Sequence, residues 1–186
     1  HDYNAPARNY DMWSSKGIDY GIDAVRVAFH SSHGNMSNNI FSTWMGANWD
    51  NTGWTARSDR MALGGNWNVF GDERLRYQFW DTCYSVRIGG GNSPYTTWAP
   101  RSKGIRFVFG YETTSVDNPN YGKYFGQEWE KGKVLKYAFL DASWRINQRQ
   151  SPALIAFGAT QSEAVNRRDT ERTFSSGAAS KTWGAW

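Results

Sequence analysis

Residues 23–34 read "DAVRVAFHSSHG" and residues 76–85 read "RYQFWDTCYS". Each is a short apolar or aromatic run that breaks into a polar loop, and reading the pair as strands decides the fold. In the first, Ala24, Val25, Val27, Ala28 and Phe29 are nearly continuous, which predicts a strand buried on both faces of a parallel sheet. In the second, Tyr77, Phe79 and Trp80 lead straight to Asp81 and Cys83. A third such run, "GIRFVFGYETTS" at 104–115, ends in Glu112 and Thr113.

Helical spacing follows. Tyr121, Tyr124, Phe125 and Trp129 recur on one side of 118–133, and Val134, Leu135, Ala138, Phe139, Ala142 and Ile146 make a stripe in 134–148. Gly132 between them suits a helix stop, and "ALIAFGA" at 153–159 suits a last strand. Strands alternating with helices predict an α/β fold, a mainly parallel central sheet flanked by helices. In such a sheet the loops after the strands share one edge, where ligands and catalytic groups gather. His33, Cys83 and Glu112 each follow a strand on that reading.

The remaining segments read as irregular. Residues 1–22 are polar and turn-rich, 35–66 form a long Trp/Gly/Asn-rich loop region with room for one hairpin, and 171–186 are a Ser/Gly/Ala-rich tail. The 186 residues suit one domain with a substantial core. Aromatics reach 17%, with 11 Trp, 10 Tyr and 10 Phe, so large rings build the core and some remain for a groove. The net charge is +4, carried by scattered arginines rather than a run, which argues against a nucleic-acid footprint. No stretch approaches the ~20 apolar residues of a membrane span. One cysteine excludes an internal disulfide, and neither a cofactor nor a metal is expected. The non-Met start at His1 favours an extracellular or secreted setting.

Cys83 becomes a nucleophile when a neighbouring base takes its proton, and His33 is suitably placed for that at the end of the adjoining strand. The developing oxyanion needs N–H donors. Gly34 lets the backbone come close to a substrate carbonyl, and the Cys83 amide supplies a second donor. Asp81, two residues before Cys83, lies on the same side of an extended chain and forms an acidic wall for a basic substrate group.

A hydrophobic strand ending in Ser-x-His-Gly ("VAFHSSHG"), followed by one ending in Asp-x-Cys ("QFWDTCYS"), resembles the caspase-like cysteine peptidases: metacaspases, gingipains and legumains. The stretch 23–170 most resembles a little-characterised bacterial, mainly actinobacterial, caspase-like group. Its later landmarks are similar to "FVFGYETTSVDNPNYGKYFGQEWEKGK" and "YAFLDASWRI". The resemblance implies His33 as catalytic histidine, Cys83 as nucleophile, oxyanion amides at Gly34 and Cys83, and Asp81 lining the first specificity pocket. The interval before the His-Gly strand is shorter than in that group, and Val86 stands where metacaspases carry glycine.

His30, three residues from His33, falls on the opposite face of an extended strand and does not pair with it as a metal site. Trp67, Trp80, Trp129 and Trp144 sit in or beside regular elements and are expected in the core. Trp44, Trp49, Trp54 and Trp98 lie in glycine-rich loops and offer a stacking platform for substrate. The leading expectation is a cysteine hydrolase acting on a peptide or amide, with a preference for a basic residue. Two alternatives stand beside it. One is the same scaffold turned to biosynthesis, a cyclase or acyl-transfer enzyme acting on a small molecule with His33, Asp81 and Glu112. The other is a carbohydrate- or partner-binding module built on the loop tryptophans.

Overall fold

The structure is a computed structural model that describes residues 25–47, 53–57 and 74–186, and for 44–47 and 53–57 the backbone alone. In chain order its strands are β1 (Val27–Ser31), β2 (Gly34–Ser37), β3 (Ile40–Ala47), β4 (Gly53–Arg57), β5 (Tyr77–Asp81), β6 (Phe107–Tyr111), β7 (Pro152–Gly158) and β8 (Trp183–Ala185). The helices are α1 (Pro94–Trp98), α2 (Tyr121–Glu130), α3 (Leu135–Ile146) and α4 (Gln161–Thr170), with a 3-10 turn at Ala99–Arg101.

The fold is mixed α/β. The central sheet runs β1-β5-β6-β7-β8, and β2-β3-β4 form a separate antiparallel sheet. β1, β5 and β6 pair in parallel, β7 runs against β6, and β8 pairs antiparallel with β7. Four of the five central strands therefore point the same way. The loops after β1, β5 and β6 leave one edge, as the sequence predicts.

Strand alternation sorts the core into two faces. On one, Tyr77, Phe79, Phe107, Phe109 and Leu154 pack with Leu135 and Phe139 of α3 and Tyr121 of α2. On the other, Trp80, Val108, Ile155 and Phe157 pack with Met36, Phe41 and Trp98. Gly132 adopts φ +84° between α2 and α3, the left-handed stop expected of it.

Several expectations need correction. β1 is not buried on both faces: Val25, Val27 and Phe29 are exposed, because among the described residues β1 pairs only with β5 and is an edge strand. The segment 35–66 carries more than one hairpin, since β2, β3 and β4 form a three-stranded sheet. Asn38 and Asn39, at φ 51° and 60°, make the β2–β3 turn, a left-handed pair that asparagine tolerates. Trp98 lies not in a loop but at the end of α1. β7 is not the last strand. Trp129 and Trp144 stand at 37% and 42% exposure, on the outer sides of their helices, whereas Trp80 is buried as expected. Trp67, His1 and the N-terminal segment 1–22 lie outside the described residues.

The 171–186 segment is a strap rather than a loose tail. Glu171 accepts from Arg106 at 2.5 Å and from the Tyr77 hydroxyl, and Ser175 N–H donates to that hydroxyl at 2.8 Å. Arg76 donates to the Ser176 carbonyl (2.9 Å), Arg106 to Gly177 (3.0 Å), and Ala179 N–H to Gly104 (3.1 Å). Among the described residues no helix is long and apolar enough to cross a membrane.

Candidate active site

β1 and β5 are in register, with His30 opposite Trp80 and Ser31 opposite Asp81. That register carries the chain onward so that His33 and Cys83 leave adjoining strands side by side. Both line one pocket of about 240 Å³, together with Ser31, Ser32, Asp81, Ser115 and Asp117. His33 is exposed and Cys83 half-buried. The thiol donates to the Ser115 carbonyl at 3.9 Å, so in this state its proton points at the β6–α2 loop rather than at the imidazole.

Backbone packing holds the two loops together. A Cβ on Gly34 would stand 2.8 Å from the Cys83 carbonyl oxygen and 2.9 Å from Thr82 Cβ, so only glycine lets the His33 loop lie against the Cys83 turn. Ser32 N–H donates to the Asp81 carbonyl at 3.2 Å. Behind the loop, the Thr43 hydroxyl donates to the His33 carbonyl at 3.0 Å, and His30 Nε2 stands 3.1 Å from the same hydroxyl. Because that hydroxyl proton is committed to His33, His30 Nε2 is the donor to Thr43. His30 also meets the Trp80 ring edge-on, 5.4 Å between centroids. It is on the face away from the pocket, as alternation predicts, and supports the His33 loop from behind.

Tyr84 follows Cys83 at φ 59°, a left-handed conformation costly for a bulky residue. Its N–H donates to the Thr113 carbonyl at 2.8 Å, which fixes the turn. The amide of Cys83 has no hydrogen bond to any described residue and is available as a donor.

Asp81 is 5% exposed. It accepts from the Ser31 hydroxyl at 2.8 Å through Oδ2, while buried Oδ1 has no hydrogen-bond partner among the described residues. Burial pushes this carboxyl up from 3.8 to about 6; Ser31 and Ser115 pull it down in part, and the Asp117 charge adds to the rise.

The other expected substrate contacts divide. Glu112 is not among the residues lining this pocket, and its carboxylate faces Gly89 instead, where an added Cβ would stand 3.6 Å from Oε1. Trp98 is not available to substrate: it is fully buried, stacked 5.7 Å from Trp80, with its Nε1 donating to the Ser85 carbonyl at 2.9 Å. Trp49, and the side chains of Trp44 and Trp54, lie outside the described residues. Ser31, Ser32, Ser115 and Asp117 join the site without having been expected. Ser31 was legible from its alternation with His30; Ser115 and Asp117 sit on a loop whose path only the fold reveals. Among the described residues no group of three or more His, Cys, Asp or Glu side chains is placed to hold a metal ion.

Fold and pocket together define an α/β domain with a thiol, an imidazole and a buried carboxyl at the carboxyl ends of neighbouring parallel strands. The chain belongs to the family described as "Domain of unknown function (DUF6345)", whose model matches residues 2–182. No curated protein and no solved structure matches it significantly.

Proposed function

We propose that this domain is a caspase-like cysteine hydrolase acting on a peptide or amide. The observation that carries the reading is the convergence of His33, Cys83 and Asp81 on one pocket at the ends of two adjacent parallel strands. The order of residue types along the chain, Ser-x-His-Gly then Asp-x-Cys, supports it.

His33 takes the Cys83 proton, and the thiolate attacks the substrate carbonyl carbon. A C–S bond forms while the carbonyl π electrons move to oxygen, where the Gly34 and Cys83 amides meet the charge. As the C–N bond breaks, the imidazolium gives its proton to the leaving amine, and a thioester remains. Water, deprotonated by His33, then attacks the thioester, and the thiolate leaves with the acid formed. Asp81 Oδ1 receives a donor on the substrate, and a basic group there meets a carboxylate at neutral pH.

The experiment is the rate at which iodoacetamide alkylates Cys83, followed by intact mass between pH 6 and 8. A rate at least tenfold above that of free cysteine, lost in His33→Ala, is expected. A rate equal to free cysteine and unmoved by His33→Ala sinks the proposal.

A further inference from the structure

A second pocket, about 270 Å³ and lined mainly by rings, lies on the α2–α3 face of the sheet. Phe29 and Phe79 form its floor, Phe125 and Phe139 its helical side, and Phe174 of the strap its far end. Asp81 belongs to this pocket and to the polar one, so its side chain stands where the two meet. The cause is strand alternation. Val27, Phe29 and Ser31 share a face of β1, and Phe79 and Asp81 share that face of β5. An aromatic floor thus turns polar at the strand ends that carry the thiol.

The space is more than a packing gap. A cavity of about 150 Å³ suffices for benzene, so this one admits a benzyl or indolyl group. Asp81 stands at its end nearest the polar pocket, and its buried Oδ1 has no hydrogen-bond partner among the described residues. A ligand matching it is apolar over its length and has a single hydrogen-bond donor where it turns toward Cys83.

We infer that the aromatic pocket receives a large apolar side chain on the acyl side of the substrate, with the N–H of that same residue donating to Asp81 Oδ1. The inference rests on the hydrolase reading and changes its preference: an aromatic residue, rather than a basic one, precedes the bond that Cys83 attacks. With the side chain in the ring-lined pocket and its N–H on Asp81, the carbonyl carbon is left on the polar side, beside the thiol.

Gly122 provides the test. It lines the pocket at the start of α2, and a Cβ there meets nothing within 4 Å, so Gly122→Leu adds bulk at the pocket's rim without a clash at its Cβ. Chloromethyl ketones of N-acetyl-phenylalanine, N-acetyl-lysine and N-acetyl-glycine alkylate a thiolate with loss of chloride, and intact mass gives the rate at Cys83. The phenylalanyl reagent is expected to react at least tenfold faster than both others. Gly122→Leu should bring it to the glycyl rate while the iodoacetamide rate holds. Equal phenylalanyl and glycyl rates, or a lysyl reagent that reacts fastest, would overturn the inference and leave the thiol chemistry standing.

Binding separates the pocket from the dyad. In Cys83→Ala protein, N-acetyl-phenylalanine amide should bind at least tenfold tighter than N-acetyl-glycine amide, and Gly122→Leu should remove the difference. Selective binding beside an unreactive thiol would support the pocket and overturn only the hydrolase reading. Absence of selectivity overturns the pocket whatever the thiol does.

Discussion

Asp81→Asn should make the protein more tolerant of neutral and alkaline pH. The native carboxyl titrates near 6 against an ordinary 3.8, so the folded state holds a proton that the unfolded chain has released. A carboxyl with a raised native pKa stabilises the fold at low pH, and that contribution is lost as pH rises through the native value. With 6 folded and 3.8 unfolded, this one group makes the protein more stable at pH 5 than at pH 8 by roughly 1–2 kcal/mol. Water entering the polar pocket screens the charge, so we take about 1 kcal/mol. Asparagine keeps the acceptor for Ser31 and cannot ionise. The stability of Asp81→Asn relative to wild type should therefore rise by about 1 kcal/mol between pH 5 and pH 8. At an m-value of about 2.5 kcal/mol/M, that moves the urea midpoint by about 0.4 M. The difference matters, not either curve alone: contributions common to both proteins cancel, and the Asp117 charge enters through its effect on Asp81. A relative stability that does not change between the two pH values would mean that Asp81 ionises normally, and the argument from burial fails.

Three further substitutions test the framework. Gly34→Ala drives a methyl into the Cys83 carbonyl and Thr82, so a loss of about 1–3 kcal/mol in urea melts is expected, with slower alkylation of Cys83; unchanged values would show that the two loops do not touch. Thr43→Val removes the donor to the His33 carbonyl and should cost about 1–3 kcal/mol. Any effect on Cys83 alkylation should appear only through His33, so Thr43→Val added to His33→Ala should change the alkylation rate no further. Glu171→Gln takes the charge from between Arg106 and Arg167, 2.5 Å and 3.4 Å away. A loss of about 2 kcal/mol should follow, less than for an emptied buried pair because the amide still accepts a hydrogen bond. A neutral result would show that the strap is held by its backbone contacts alone.

What the sequence revealed was what depends on local period. β5, β6, α2, α3 and β7 follow from runs and stripes that pack where they are, and the placing of His33 and Cys83 follows from strands ending where polarity begins. β1 was misjudged because an apolar run does not say whether a sheet continues beyond it. The β2–β3 hairpin was signalled by Asn38-Asn39 but hidden in a composition that reads as loop. α4 has almost no apolar stripe, yet Thr160 caps it by accepting from Glu163 N–H at 3.1 Å while Glu163 accepts from Ala159 N–H at 2.8 Å. The T-x-x-E spacing was there to be read. Trp98 lay beyond reach because its burial is decided by Trp80 and Phe41, far away in sequence. The same holds for Ser115 and Asp117, which reach the pocket only through the path of the β6–α2 loop.

The strap has a consequence for how the domain is made. Its bonds join residues about 65 to 100 positions apart, such as Arg76 with Ser176 and Arg106 with Glu171. On the ribosome β1, β5 and β6 emerge long before their N-terminal ends have these partners. Phe174, the end wall of the aromatic pocket, arrives later than every other element of that pocket. Contacts of such long range form late and slowly, and until they form, the rings of β5 and β6 are open to wrong partners. The pocket is therefore finished last, and truncations that spare every residue beside Cys83 should still give a protein that aggregates during synthesis.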